Sequence, residues 1–159
     1  MKPKSEKIII LMGSESDLDH SKKIAKILEE FKIEYKMRIA SAHKTPLKVL
    51  EIIKEYEKDD VIFVTVAGRS DALSGFVDAN TTKPVIACPP YSDKFGGVDI
   101  FSTIRMPSGV APMLVLEPEK AAIAATKILA LKDKNLEEKL KEYQKKLKDK
   151  IEESDKRVR

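Results

Sequence analysis

Two histidines are present in the chain, and one of them, His43, stands in a setting suited to proton transfer. It lies in Ser41-Ala42-His43-Lys44-Thr45, directly after a strand-like stretch. Imidazole is the side chain whose ordinary pKa lies nearest neutrality, so His43 is the candidate general acid/base. Lys44 beside it disfavours the protonated ring and offers a cation to an anionic ligand. His20 lies among charged neighbours in a helical stretch and reads as a surface residue.

Two further polar segments fall at strand ends, Gly13-Ser14-Glu15-Ser16-Asp17 and Gly68-Arg69-Ser70-Asp71. The first precedes a helix, where free N–H groups and the helix dipole favour an anion. It is neither a dinucleotide fingerprint nor a Walker A loop. One glycine with Ser14 and Ser16 suits a single phosphate held by amides and hydroxyls. Asp17 has the acceptors for ribose hydroxyls, and capping of the next helix is an equally good account of it. Arg69 and Arg105 fit either an anionic ligand or ion pairs at an interface. Cys88, before Pro89-Pro90, reads as a small buried hydrophobe. The single cysteine excludes an internal disulfide and a CxxC site, and no His, Cys and carboxylate set has metal spacing, so no metal is expected.

These segments need a scaffold that brings strand ends to one rim. Ile8 to Met12, Tyr35 to Ala40, Val61 to Ala67, Val85 to Cys88 and Met113 to Leu116 read as strands. Ile24, Ile27, Leu28 and Phe31 recur at helical spacing, capped by Ser16 or Asp17, and a second helix follows Thr45-Pro46. A further helix covers Ala121 to Leu131. Alternating strands and helices predict an α/β fold, a three-layer doubly wound parallel sheet. In such sheets ligands bind at the carboxyl ends of the strands.

The 159 residues fit one catalytic domain, 1–131, with a helical extension, 132–159. The extension places Leu136, Leu140, Tyr143, Leu147 and Ile151 on one amphipathic stripe, suited to packing on its own domain or on a neighbouring subunit. Of the net charge of +4, the extension carries +3, with 11 basic and 8 acidic residues, so the domain is nearly neutral. Mixed signs suit a solvated helix face better than a nucleic-acid surface. No apolar run reaches the roughly 18 residues of a membrane span. The start, Met1 to Lys7, is polar and unlike a signal peptide, so a cytoplasmic location is expected.

The motifs M-G-S-E-S-D, S-A-H-K-T-P, V-A-G-R-S-D-A-L-S-G and R-M-P-S-G-V resemble those of the phosphoribosylaminoimidazole carboxylase family of purine biosynthesis, in family order across about residues 7–131. The resemblance implies a flavodoxin-like fold and a homo-oligomer, tetramer or octamer, with sites between subunits. It implies that Ser14 and Ser41 hold the phosphate side of a nucleotide and Asp17 the ribose, with Ser16 among the substrate-binding residues. His43 is then the acid/base, with Lys44, Gly68 and Ser70 around substrate and CO2. No cofactor is implied, because biotin-attachment and ATP-binding motifs are missing. The family has a mutase class, moving a carboxylate from N5 to C4, and a class using CO2 directly. Ala72 stands where mutases carry a second histidine, and Lys44 where they usually carry arginine. With A-C-P-P-Y-S-D and M-P-S-G-V-A-P, the chain looks like the direct class, in which Asp71 replaces an expected asparagine. The mutase, a non-catalytic nucleotide-binding regulator and a flavodoxin-like electron carrier are the alternatives.

Overall fold

Three of the strand segments carry apolar residues on both faces, with Thr65 the one polar residue among them, a pattern that suits a strand covered on two sides. The computed structural model describes residues 7–159, so most of the polar start lies outside the described residues. The three segments form β1 (Ile8–Met12), β3 (Ile62–Val66) and β4 (Val85–Ala87), and every residue in them is buried. With β2 (Tyr35–Ile39) and β5 (Met113–Leu114) they make a parallel five-stranded sheet in the order β2-β1-β3-β4-β5. The strand and helix alternation and the doubly wound, flavodoxin-like fold agree with the sequence reading.

The helices are α1 (Leu18–Glu30), α2 (Pro46–Glu55), α3 (Ala72–Ala79), the four-residue α4 (Phe101–Ile104), α5 (Pro118–Ala130) and α6 (Lys134–Val158). Pro46 opens α2, where its missing N–H costs no helical bond. The pleat sends Ile9 and Leu11 of β1 to one face, where they pack with Val49, Ile53, Leu73 and Val77 of α2 and α3. Helix α3 was not expected. Gly75, Ser74 and its eight-residue length hide its period, although a parallel β3–β4 connection requires a crossover.

The chain divides into two compact units, Met1–Ala125 and Thr126–Arg159. In the second, Asp133 caps α6 by accepting the N–H groups of Asn135 and Leu136 at 2.9 and 3.2 Å. The predicted stripe is buried at Leu136 and Leu140, but Leu147 and Ile151 stay exposed. Among the described residues no helix is long and apolar enough to cross a membrane.

Register explains the site. Met12, the last residue of β1, stands opposite both Ile39 of β2 and Val66 of β3. The three loops after these strands therefore leave the sheet at one level. Ala40 N–H bonds to Met12 O, and Gly13 N–H to Val66 O, both at 2.9 Å, so the alignment continues past the strands. The chain runs from β1 outward to β2 and then back across β1 to β3. This is the topological switch point, where diverging loops leave a crevice.

Candidate active site

A cleft of about 480 Å³ opens at this rim, and it is lined by the eight residues expected to bind or act on a substrate. Ser14, Ser16 and Asp17 come from the β1 loop, and Ser41, His43 and Lys44 from the β2 loop. Gly68 and Ser70 come from the β3 loop.

The first loop turns on Gly13. A side chain there would bring Cβ within 3.2 Å of Ala67 Cβ, so glycine lets the β1 loop cross close to the end of β3. Ser14 is extended, and its N–H donates to Asp17 Oδ2 at 3.0 Å, while Ser14 Oγ lies 2.6 Å from Ser16 Oγ. The Asp17 carboxylate thus turns back onto Ser14 as the acidic member of a capping box on the short helical turn, Glu15–Asp17, that leads into α1, and it makes no cap bond to α1 itself. Asp17 is buried, and desolvation pushes its pKa up against the opposing pull of the Ser14 bonds and the His20 charge.

The second loop is a self-bonded turn. Ser41 N–H donates to Thr45 Oγ1 at 2.9 Å, Thr45 N–H to Ser41 O at 2.8 Å, and Lys44 N–H to Ser41 Oγ at 3.2 Å. The turn leaves His43 and Lys44 exposed at the mouth of the cleft. The third loop forces Arg69 into the left-handed region, φ 59°, a strained conformation for a residue with a Cβ.

A fourth wall was missed from the sequence. Pro90, Tyr91, Ser92 and Lys94, following β4, line the same cleft. Phe95, Gly96 and Gly97 are all left-handed, so the segment has no apolar period to betray it. The adjoining Pro-Pro pair after an apolar strand was the available signal. Lys44, Arg69 and Lys94 line the cleft together with one carboxylate, Asp17, so the cleft suits an anionic ligand. Arg105 ends α4 and does not line the cleft.

His20 is half-buried, which corrects its reading as a surface residue. Its Nε2 approaches Cys88 Sγ at 3.4 Å, and Cys88 is fully buried, as expected of a small hydrophobe. The overlooked signal is that His20 precedes Ile24 by four residues and Leu28 by eight, on the buried face of α1. Among the described residues no group of three or more His, Cys, Asp or Glu is arranged around a common metal position.

Comparison with known proteins gives a consistent picture. A model of the AIR carboxylase family matches residues 7–150. The chain is 69% identical to a phosphoribosylaminoimidazole carboxylase of Archaeoglobus fulgidus, over 96% of this chain and 85% of the relative. It is 51% identical to the Treponema denticola protein of the same name, over 96% and 97%. A Methanocaldococcus jannaschii protein named N5-carboxyaminoimidazole ribonucleotide mutase is 46% identical, over 96% and 97%. The crystal structure of Treponema denticola PurE superimposes with a TM-score of 0.93 at 51% identity, covering 96% of this chain and 98% of that one.

Proposed function

The chain belongs to the AIR carboxylase family, an enzyme family of purine biosynthesis, and from that premise we propose that it adds CO2 to C4 of 5-aminoimidazole ribonucleotide. The product is 4-carboxy-5-aminoimidazole ribonucleotide, and the reaction is reversible and needs no ATP. The observation that carries this reading is the single cleft in which His43 and Lys44 share a rim with the Gly68–Ser70 turn. Ala72, two residues after that turn, supplies no second imidazole.

In this mechanism the β1 loop and Ser41 bind the phosphate side, and Asp17 accepts hydrogen bonds from the ribose. The aminoimidazole is an enamine, so C4 carries the nucleophilic electron pair. It forms the new carbon–carbon bond to CO2, and one C–O π pair moves onto oxygen to give a carboxylate. Lys44 and the turn around Gly68 and Ser70 stabilise that charge. C4 is now tetrahedral and the ring has lost aromaticity. Neutral His43 takes the C4 proton and restores it. In reverse, protonated His43 returns the proton to C4, and the carbon–carbon bond breaks to release CO2. Most of the rate gain comes from holding CO2 against C4. Copies of the chain assemble into a homo-oligomer, tetramer or octamer. The exposed Tyr91, Phe95, Val98 and Phe101 support such an assembly beside the cleft.

The mutase reading is favoured by one observation, the name of the Methanocaldococcus jannaschii relative. The test of the carboxylase reading is a direct one. The purified chain, given 5-aminoimidazole ribonucleotide and no ATP, should form the C4 carboxylate at a rate that rises with dissolved CO2. A rate independent of CO2 would overturn the proposal.

A further inference from the structure

The strained Gly68–Asp71 turn is secured by a buried hydroxyl network that the proposed chemistry does not itself use. Asp71, Ser74, Thr65 and Thr103 are all buried. The Asp71 carboxylate accepts Ser74 N–H at 3.0 Å, Ser74 Oγ–H at 2.5 Å and Thr103 Oγ1–H at 2.8 Å. An aspartate carboxylate only accepts, so each of these partners supplies a hydrogen. Ser74 spends its one hydroxyl hydrogen on Asp71, and Thr65, at 2.8 Å, therefore donates to Ser74. The hydroxyls all point inward, toward Asp71.

The neighbouring Ser102 ties the backbone of the same turn. Its Oγ accepts Asp71 N–H at 2.9 Å and lies within donating distance of Arg69 O, at 3.0 Å, and Asp99 O, at 2.7 Å. Helix α4 is thus attached to the β3 loop through two successive hydroxyl residues, Ser102 and Thr103. Through the segment that precedes α4, the attachment extends along the chain to Ser92 and Lys94, which also line the cleft.

We propose that Asp71 is a positioning residue that, through Ser102 and Thr103, fixes the Gly68–Ser70 turn and the 91–104 segment in one reactive arrangement of the cleft. The proposal rests on the carboxylase reading above, because the turn it fixes is the one assigned there to CO2 and the new carboxylate. Asparagine in place of Asp71 would keep the geometry with the hydroxyls reversed. Its oxygen would accept Ser74 N–H, and its two amide hydrogens would serve Ser74 and Thr103. Ser74 would then donate to Thr65, and Thr65 to Ile86 O, at 3.4 Å in the present structure. Alanine offers neither arrangement.

The experiment compares Ser102→Ala, Thr103→Val, Thr103→Ser, Asp71→Asn and Asp71→Ala with wild type. It measures kcat, the dissociation constant of the nucleotide, melting temperature and amide exchange across residues 68–76. Ser102→Ala and Thr103→Val should speed that exchange and lower kcat about tenfold, with nucleotide affinity changed less than about threefold. Thr103→Ser and Asp71→Asn should keep kcat within about threefold of wild type, and Asp71→Ala should not. Ser102 is only half-buried and α4 is short, so Ser102→Ala tests the idea even if Asp71→Ala does not fold. Unchanged kcat in folded Ser102→Ala and Thr103→Val, or a Thr103→Ser variant no better than Thr103→Val, would overturn the positioning role. A wild-type chain that fails to carboxylate at all would instead overturn the carboxylase reading, before any variant is compared.

Discussion

His20 Nε2 lies 3.4 Å from Cys88 Sγ, joining the helix that follows the Ser14–Asp17 loop to the segment after β4 that goes on to wall the cleft. Neither residue lines the cleft or is assigned to the chemistry, and their titration has measurable consequences.

Burial and the nearby Lys23 lower the His20 pKa from its ordinary 6.5, while Asp17, Cys88 and Glu119 pull it the other way. The folded value is depressed, so as pH falls below about 6.5 the unfolded chain takes up the proton first. His20 therefore destabilises the fold progressively on the acid side and has no such effect above that pH. His20→Asn should lessen the loss of stability between pH 7 and pH 5 in urea unfolding. Asp17 acts in the opposite sense, since its raised pKa makes the buried carboxylate unfavourable at higher pH and relieved at lower. Comparing variant and wild type at each pH removes most of that contribution. Parallel pH profiles for the two would contradict the assignment.

Cys88 is fully buried, and desolvation pushes its thiol up to about 12. The thiolate is the reactive form, so the native thiol should resist iodoacetamide at pH 8 and become fully labelled in denaturant. Rapid labelling of the native enzyme would show that the His20–Cys88 contact opens readily.

What was legible in the sequence followed from strong local signals. Unbroken apolar runs such as Ile8–Met12 exist because both faces of β1 are covered, and polar loops at their ends mark the rim. The eight residues expected at the site could be grouped because a parallel sheet sends all these loops one way. What escaped depends on long-range contacts. His20 is adjacent to charged residues in sequence, and only the helical period reveals its buried side. The hold of Ser102 on Asp71 joins positions 31 residues apart, and no local pattern encodes it. The cap of α3 was readable in principle. Asp71 accepts the N–H of Ser74, three residues on, the ordinary geometry of a helix start.

His43 is the imidazole of the cleft, exposed at the end of the Ser41 turn. His43→Asn should abolish measurable turnover and leave nucleotide affinity within about tenfold, about 1.4 kcal/mol. Isothermal titration with the nucleotide alongside a turnover assay checks both halves. Near-normal turnover would remove His43 from the proton transfer.

The outer half of α6 keeps Leu147 and Ile151 exposed on an otherwise charged helix. Truncation after Leu131 should weaken subunit assembly more than it alters the circular dichroism of the remaining chain. Sedimentation showing the same oligomer with and without the helix would contradict this.

The identity of the carboxyl donor is the most direct test of the account. The chain is given N5-carboxyaminoimidazole ribonucleotide in a medium filled with labelled CO2, and the C4 carboxylate is analysed for label. A direct carboxylase uses this nucleotide only after it breaks down in solution. The product should therefore form slowly and carry the label of the medium. Rapid, efficient transfer to C4 without label would identify a mutase and contradict the account.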